Sequence, residues 1–225
     1  MPLDPQLQAL RDQRERDGVA PLYTMTLAQA RAADLASIQA GGGAPEPVAE
    51  VRDLTIPGPG GDLPLRLYLP ALGGPLPVLF YFFGAAGCSA PSTRRTESPA
   101  AWPTGPARWS PSPATDPSRL LVGGDSAGGN LAAAVALRAR DDGGPAFAGQ
   151  LLVYPNTDQL ADDQSMREAD DPQLFNRHSV AWYRQHYLSD PGDAASPLAS
   201  PLRAQTLAGL APALVITAEY DPLRD

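Results

Sequence analysis

Apolar and polar residues alternate over two stretches in the first third of the chain, and this pattern predicts a β-hairpin. In residues 48–56 and 63–69, apolar side chains recur as expected for strands with one buried face. Residues 77–83 are apolar throughout, which predicts a central strand buried on both faces. Three later apolar runs predict further strands, at residues 118–123, 147–154 and 212–218.

Helical patterns precede and separate these strands. Residues 4–17 have a polar helical pattern, and a second helix is predicted from Thr26, because Thr26 and Gln29 have the spacing of a capping box. Small residues dominate a predicted helix at 129–137, and an aromatic face marks another at 176–188. Strands interleaved with helices indicate an α/β fold with a mainly parallel sheet and flanking helices.

The interval from Gly84 to Arg119 does not follow this pattern. It contains no Val, Ile, Leu, Met, Phe or Tyr, whereas it has seven prolines and two of the three tryptophans. This composition favours neither a buried strand nor a helix, so residues 84–117 are expected to be disordered. A structureless segment of this length is unusual inside a compact domain.

The chemically most informative motif is Gly-Asp-Ser-Ala-Gly at residues 124–128, between a predicted strand and a predicted helix. This order is that of a nucleophile elbow, in which a strained serine, here Ser126, presents its hydroxyl out of the sheet. The tight turn leaves no room for side chains at Gly124 and Gly128. The Ala127 N–H, at the start of the helix, is placed to bind a developing oxyanion.

Residues 123–130 (GGDSAGGN) carry more information than the pentapeptide alone. Together with Val153-Tyr154-Pro155 and residues 215–225, they resemble the hormone-sensitive-lipase-like family of α/β-hydrolase esterases. The resemblance implies an incomplete α/β-hydrolase fold, with N-terminal cap helices in residues 1–45 and a partial hydrolase domain in 46–225. Two alternatives stay open: the N-terminal helices simply pack on the surface, and the aromatic face near residue 180 packs on the core.

The resemblance also implies catalytic roles. Ser126 corresponds to the nucleophile, and Asp221, after the last strand, corresponds to the acid in the chain order Ser…Asp…His. The family's histidine follows the aspartate by a few tens of residues, so the chain is expected to be truncated relative to the family. His178 and His186 both precede Asp221 and are not expected to replace that histidine.

The oxyanion hole is a second departure from the family pattern. Relatives carry a His-Gly-Gly-Gly-type motif where this chain has Phe83-Gly84-Ala85-Ala86. The candidate oxyanion donors are therefore Ala127, Gly84 and Ala85, the last two only if the altered loop keeps its turn.

A shifted reading frame accounts for the unusual interval as a hypothesis. Back-translation of residues 84–113 in another frame can spell family-like segments, including a plausible helix followed by a strand. The hypothesis includes a few tens of residues lost before Ala114. The third bases of the coding DNA test it, because incompatible bases would remove the idea.

Charge and composition narrow the range of partners. The net charge is −8 and the pI about 4.7, so nucleic acid and anionic membranes would repel the chain. No apolar run approaches the ~20 residues that span a bilayer, and no signal peptide is visible, so a cytoplasmic location is expected. The single cysteine, Cys88, excludes an internal disulfide and a cysteine-rich metal site. No metal or cofactor is expected, and the oligomeric state is not predicted.

These features predict a carboxylic ester hydrolase that acts on small-molecule esters through an acyl-enzyme intermediate on Ser126. Because no suitably placed histidine activates the serine, the 225-residue chain itself is expected to be inactive. Two alternatives remain: a non-catalytic binding protein that keeps the acyl pocket, and a fragment with no function of its own.

Overall fold

The computed structural model describes residues 3–41, 46–58, 61–71, 73–84 and 115–225. The helices are α1 (Pro5–Arg16), α2 (Leu27–Gly41), α3 (Ala127–Asp141), α4 (Gln164–Glu168) and α5 (Arg177–Tyr187), with short 3₁₀ helices at Leu22–Thr24, Pro191–Ala195 and Pro201–Arg203. The strands are β1 (Glu50–Gly58), β2 (Gly61–Leu69), β3 (Leu76–Phe82), β4 (Thr115–Asp125), β5 (Gly149–Val153) and β6 (Ala213–Ile216).

Four of the strands form a parallel sheet in the order β3-β4-β5-β6. Helix α3 packs across β4, β5 and β3, and a small apolar core lies between the helix and the sheet. The buried members of this core are Val122, Ala132, Ala133, Ala136 and Leu152. The parallel α/β sheet predicted from the alternation of strands and helices is confirmed.

The predicted hairpin is present, but its predicted burial is wrong. Strands β1 and β2 pair antiparallel, from Glu50 opposite Leu69 to Gly58 opposite Gly61. All of their residues are exposed except Gly58 and Leu69, which are partly buried. The reason is topological: the hairpin forms a separate two-stranded sheet, and none of the described elements packs closely over it.

Strand β3 also differs from its prediction as a strand buried on both faces. Within the described residues it lies at the edge of the parallel sheet and pairs with β4 alone. Leu79 and Phe80 are 48% and 40% exposed. An apolar run shows that a segment suits a sheet, but the position of the strand depends on which other strands lie beside it.

The start of β4 extends into the interval expected to be disordered. The strand begins at Thr115, so residues 115–117 have regular structure. The Asp116 carboxylate accepts hydrogen bonds from the Ser118 N–H at 2.9 Å and the Ser118 hydroxyl at 2.6 Å, which orders the beginning of the strand. Residues 85–114 lie outside the described residues, and the disorder expected there stays a prediction.

The N-terminal helices follow the local signals in the sequence. The Gln29 N–H donates to Thr26 Oγ1 at 3.3 Å, and the Thr26 N–H donates to Gln29 Oε1 at 2.9 Å, which is the predicted capping box. Helix α1 buries no residue, whereas α2 buries Ala30. An ion pair between Arg11 and Asp171, at 3.0 Å, connects α1 to the segment before α5.

Helix α4 was not predicted, because its region reads as an acidic loop. Asp163 caps this helix by accepting a hydrogen bond from the Met166 N–H at 3.0 Å. Five residues are too few to show a helical period, so the N-cap aspartate is the one signal in the sequence.

Candidate active site

Ser126 lies between the end of β4 and the start of α3, with φ 53° and ψ −119°. A positive φ is strained for a residue with a side chain and is typical of functional turns. The structure therefore gives Ser126 the backbone conformation expected of a nucleophile elbow.

Two glycines allow the elbow to lie against the end of β3. A Cβ on Gly124 would lie 2.5 Å from the Phe82 carbonyl oxygen, and a Cβ on Gly128 would overlap the same oxygen. Because backbone atoms cannot rotate away as a side chain can, no other residue fits either position without a shift of β3 or α3.

Backbone hydrogen bonds fix the elbow on its other side. The Ser126 N–H donates to the Val153 carbonyl of β5 at 2.9 Å. The Ser126 carbonyl accepts from the Asn130 N–H at 3.1 Å and from the Asn156 N–H at 3.2 Å. Both polar groups of the strained residue are thus held by the neighbouring strand, the helix and the loop after β5.

The side chain of Asn130 strengthens the same connection. It is buried in α3, and its amide nitrogen donates to the carbonyls of Asn156 at 2.6 Å and Ala199 at 2.7 Å. The buried amide thus donates to backbone carbonyls of two separate loops and connects them to α3. The sequence indicates Asn130 only through the resemblance of residues 123–130 to esterases.

The predicted oxyanion donors differ in their availability. The Ala127 N–H lies at the first position of α3, and no described residue accepts a hydrogen bond from it, as is usual for a helix N-terminus. The Gly84 N–H instead donates to Asp125 Oδ1 at 3.0 Å. Ala85 lies outside the described residues.

Asp221 follows β6 and lines the same cavity as Ser126. Partial burial raises the pKa of the Asp221 carboxyl group above its usual value, although a hydrogen bond from the Leu223 N–H, at 2.9 Å, opposes this shift. The structure therefore brings the predicted nucleophile and the predicted acid into one site.

The cavity has a volume of about 630 Å³, and its wall is mainly apolar and aromatic. Helices α1, α2, α3 and α5 and the loops after β5 and β6 contribute to it. The apolar and aromatic side chains that line it are Leu7, Leu131, Tyr154, Leu174, Phe175, Val180, Tyr183, Tyr187, Tyr220 and Leu223.

Tyr154 is a cavity residue that the sequence did not single out. It has φ 35°, a second positive value in a residue other than glycine among the described residues. Burial, and then the nearby carboxylates of Asp125 and Asp221, raise the pKa of its hydroxyl. The Val153-Tyr154-Pro155 string pointed to this residue only as part of the family resemblance.

Neither histidine of the sequence lines the cavity. His178 Nε2 lies 3.1 Å from Asp170 Oδ1, and the centroids of the His178 and Tyr23 rings are 5.2 Å apart. His186 Nδ1 donates to the Trp182 carbonyl at 2.8 Å, and the centroids of the two tilted rings lie 4.0 Å apart. Both histidines thus have partners outside the site of Ser126.

In the described part of the chain, no group of three or more His, Cys, Asp or Glu side chains could hold a metal ion. No helix in those residues is long and apolar enough to cross a membrane.

The parallel sheet, the elbow and the shared cavity define a hydrolase of the α/β class. The chain belongs to the alpha/beta hydrolase fold family, whose model matches residues 97–225. The carboxylic ester hydrolase LipN of Mycobacterium tuberculosis is 36% identical over 260 residues, covering 99% of this chain and 69% of LipN. The carboxylesterase NlhH of the same species is 45% identical over 115 residues, covering 49% of this chain and 35% of NlhH.

Esterases of known structure superpose on this chain over nearly its whole length. A hyperthermophilic esterase from the archaeon Pyrobaculum calidifontis superposes with a TM-score of 0.82 and 31% sequence identity, covering 100% of this chain and 82% of the esterase. An esterase from Pseudomonas putida superposes with a TM-score of 0.78 and 29% identity, covering 99% of this chain and 80% of that protein. The incomplete α/β-hydrolase fold implied by the resemblance is confirmed.

The matches also bear on the interval after Gly84. The alignment with LipN extends over 260 residues, more than the 225 of this chain, so LipN has residues within the matched span that this chain lacks. The family model begins to match at residue 97, inside the interval of the reading-frame hypothesis. That hypothesis stays a prediction for the coding DNA to test.

Proposed function

We propose that this chain carries the nucleophile site of a carboxylic ester hydrolase that acts on small-molecule esters. The observation that carries the proposal is the strained Ser126 at the elbow, which shares one cavity with Asp221 and the N–H of Ala127. The names of LipN, NlhH and the esterases of known structure support the same reaction class.

The elbow suits acyl transfer. Ser126 Oγ attacks the ester carbonyl carbon, a base takes the hydroxyl proton, and the negative charge that develops on the carbonyl oxygen meets the Ala127 N–H. The alcohol then leaves with a proton from the base, and the acyl group stays on Ser126 as an ester. Water attacks this acyl-enzyme in the second step and releases the carboxylic acid.

Asp221 is proposed as the acid that orients and stabilises the base. In a serine triad this carboxylate stays ionised and accepts an N–H from an imidazole, which becomes an imidazolium ion during the reaction. Its partial burial beside the cavity strengthens such an interaction, because few waters compete with it. His178 and His186 have other partners, so the 225-residue chain offers Asp221 no imidazole to orient.

The cavity wall supports a neutral, partly apolar substrate. Leucine, phenylalanine and tyrosine side chains line it, and they favour the acyl or alcohol chain of an ester over a strongly hydrated ligand. Because α1, α2 and α5 supply part of this wall, we propose that they form a cap over the site.

A binding protein without turnover is the second candidate, favoured by the absence of both histidines from the cavity wall. Such a protein would bind an ester in the cavity and leave it intact. Turnover that depends on Ser126 after a base is supplied from solution separates the two candidates. If the chain shows no cooperative unfolding, it is a fragment with no function of its own.

Detection of the acyl-enzyme tests the proposal directly. The chain is incubated with p-nitrophenyl acetate and imidazole, which stands in for the histidine, and is then digested for mass spectrometry. We expect acetylation on Ser126 and none at this position in Ser126→Ala. Ser118→Ala is the matched control, because Ser118 is an exposed serine of β4, the strand that leads to Ser126, and this variant should be acetylated at Ser126 like the unsubstituted chain. Absence of acetyl-Ser126 would contradict the nucleophile role.

A further inference from the structure

The carboxylate of Asp125 joins the end of β3 to the nucleophile elbow. Its Oδ1 accepts a hydrogen bond from the Gly84 N–H at 3.0 Å and another from the Tyr81 hydroxyl at 3.0 Å. Tyr81 lies in β3, Gly84 follows the end of that strand, and Asp125 ends β4 directly before Ser126. The two hydrogen bonds therefore connect neighbouring strands at the edge of the sheet where the cavity lies.

Close packing supports the same connection. A Cβ on Gly84 would overlap Asp125 Oδ2 and would lie 3.1 Å from the Asp125 carbonyl oxygen. Both carboxylate oxygens therefore lie next to Gly84, one through a hydrogen bond and the other through direct packing. This orientation suits a group that holds the backbone of β3, rather than one that exchanges a proton with Ser126.

The Tyr81 hydroxyl keeps the proton that it donates to Asp125 over the whole neutral pH range. Burial raises the pKa of Tyr81 to about 12, and the hydrogen bond to Asp125 contributes to the shift. The hydroxyl thus stays protonated throughout the neutral range. A carboxylate oxygen that accepts two hydrogen bonds at once has less freedom to rotate than one that contacts only water.

We infer that Asp125 is a positioning residue for ester hydrolysis, because it holds the Gly84 backbone beside Ser126 and Ala127 in the wall of the cavity. This inference rests on the proposed function, since positioning matters only if an oxyanion forms at Ser126. Groups fixed in advance around a developing charge stabilise it without reorganisation during the reaction. Here the Ala127 N–H is the group that meets the developing oxyanion. The Gly84 backbone is part of the cavity wall beside it, and Asp125 holds that backbone in place.

Three substitutions separate this role from a general contribution to stability. Asp125→Ala removes the acceptor, Asp125→Asn keeps an oxygen that accepts both hydrogen bonds, and Tyr81→Phe removes one donor. Asp53→Ala is the matched control, because Asp53 is an exposed carboxylate that pairs with Arg66 in the hairpin and does not line the cavity.

Amide exchange at Gly84, measured by NMR, tests the connection without any turnover. We expect a protected Gly84 N–H in the unsubstituted chain, in Asp53→Ala and in Asp125→Asn. In Asp125→Ala its exchange should be roughly tenfold faster, with Tyr81→Phe between the two. Equal protection of Gly84 in Asp125→Ala would overturn the inference.

Imidazole-supported hydrolysis of p-nitrophenyl acetate then tests the catalytic consequence. The quantity compared is the Ser126-dependent rate, which is the rate that remains after the rate of Ser126→Ala is subtracted. In Asp125→Ala we expect kcat to fall roughly tenfold with KM nearly unchanged, and Asp125→Asn to recover most of it. A change in KM alone, or equal losses in Asp125→Asn and Asp125→Ala, would overturn the inference while leaving the proposed function intact. Absence of any Ser126-dependent rate in the unsubstituted chain would refute the proposed function and the catalytic part of this inference with it, whatever the exchange at Gly84 shows.

Discussion

The Tyr183 hydroxyl in α5 donates a hydrogen bond to Asp34 Oδ2 in α2, with 3.1 Å between the two oxygens. Both residues line the cavity that contains Ser126. Helix α1 buries no side chain, so polar contacts such as this one and the ion pair between Arg11 and Asp171 contribute to holding the N-terminal helices beside the site. This relationship gives the proposed cap a testable physical basis.

Tyr183→Phe should loosen α2 while leaving the parallel sheet in place. A hydrogen bond to a charged group contributes ~1.5–3 kcal/mol, so amide exchange in residues 27–37 should become roughly tenfold faster. Exchange in β4 and β5 should not change. Tyr68→Phe, in the exposed hairpin, is the control, and mass spectrometry of deuterium uptake is the measurement. Unchanged exchange in α2 would show that other contacts hold it.

Gly128→Ala should destabilise the whole domain. The added methyl group would overlap the Phe82 carbonyl oxygen, and overpacking against rigid atoms costs ~1–3 kcal/mol or more. We expect a lower midpoint in urea unfolding followed by circular dichroism. Gly73→Ala provides the comparison, because a Cβ there meets nothing within 4 Å, and it should change stability by less than ~0.5 kcal/mol. Similar effects of both substitutions would contradict the close approach of the elbow to β3.

Gly128 also illustrates what the sequence can predict. The strand, the glycine-flanked serine and the small-residue helix determine the elbow through local backbone geometry, so the strained Ser126 could be predicted. The capping box at Thr26 is local in the same sense. The family resemblance also predicted Asp221 as a site residue. This residue lies far from Ser126 in the sequence but lines the same cavity.

Features that depend on strand neighbours could not be predicted in this way. Among the described residues, the exposed hairpin and the edge position of β3 follow from which strands pair, and no local pattern in the sequence predicts that pairing. The hydrogen bond from Gly84 to Asp125 has the same origin, because it joins residues 41 positions apart in the sequence, one just after β3 and the other at the end of β4. For this reason the sequence suggested Gly84 as an oxyanion donor and did not show that its N–H is already engaged.

Asp221→Asn should change the dependence of stability on pH in a defined direction. Burial raises the pKa of Asp221 in the folded state, so its ionisation reduces the free energy of unfolding as the pH rises through that pKa. The asparagine variant should therefore be more stable than the unsubstituted chain at pH 7. The difference should vanish below the unfolded-state pKa of ~3.9.

Asp116→Asn is the control of opposite sign for that experiment. Hydrogen bonds from Ser118, and then from Arg119, lower the pKa of Asp116, so its ionised form stabilises the folded state above the unfolded-state pKa. The asparagine variant should be less stable than the unsubstituted chain at pH 7, and this difference should also vanish in acid. Urea unfolding at pH 3, 5 and 7 measures both. A shift of the same sign in the two variants would contradict the assignment for Asp221.

The central claim is that Ser126 is a positioned nucleophile for which the 225-residue chain supplies no base. The initial rate of p-nitrophenyl acetate hydrolysis, compared between this chain and its Ser126→Ala variant with and without imidazole, tests it most directly. Loss of the histidine of a serine hydrolase costs on the order of 10⁶ in kcat, so the two rates should be equal in imidazole-free buffer. With imidazole, the unsubstituted chain should be faster than Ser126→Ala. A faster unsubstituted chain without imidazole, or equal rates with it, would contradict the claim.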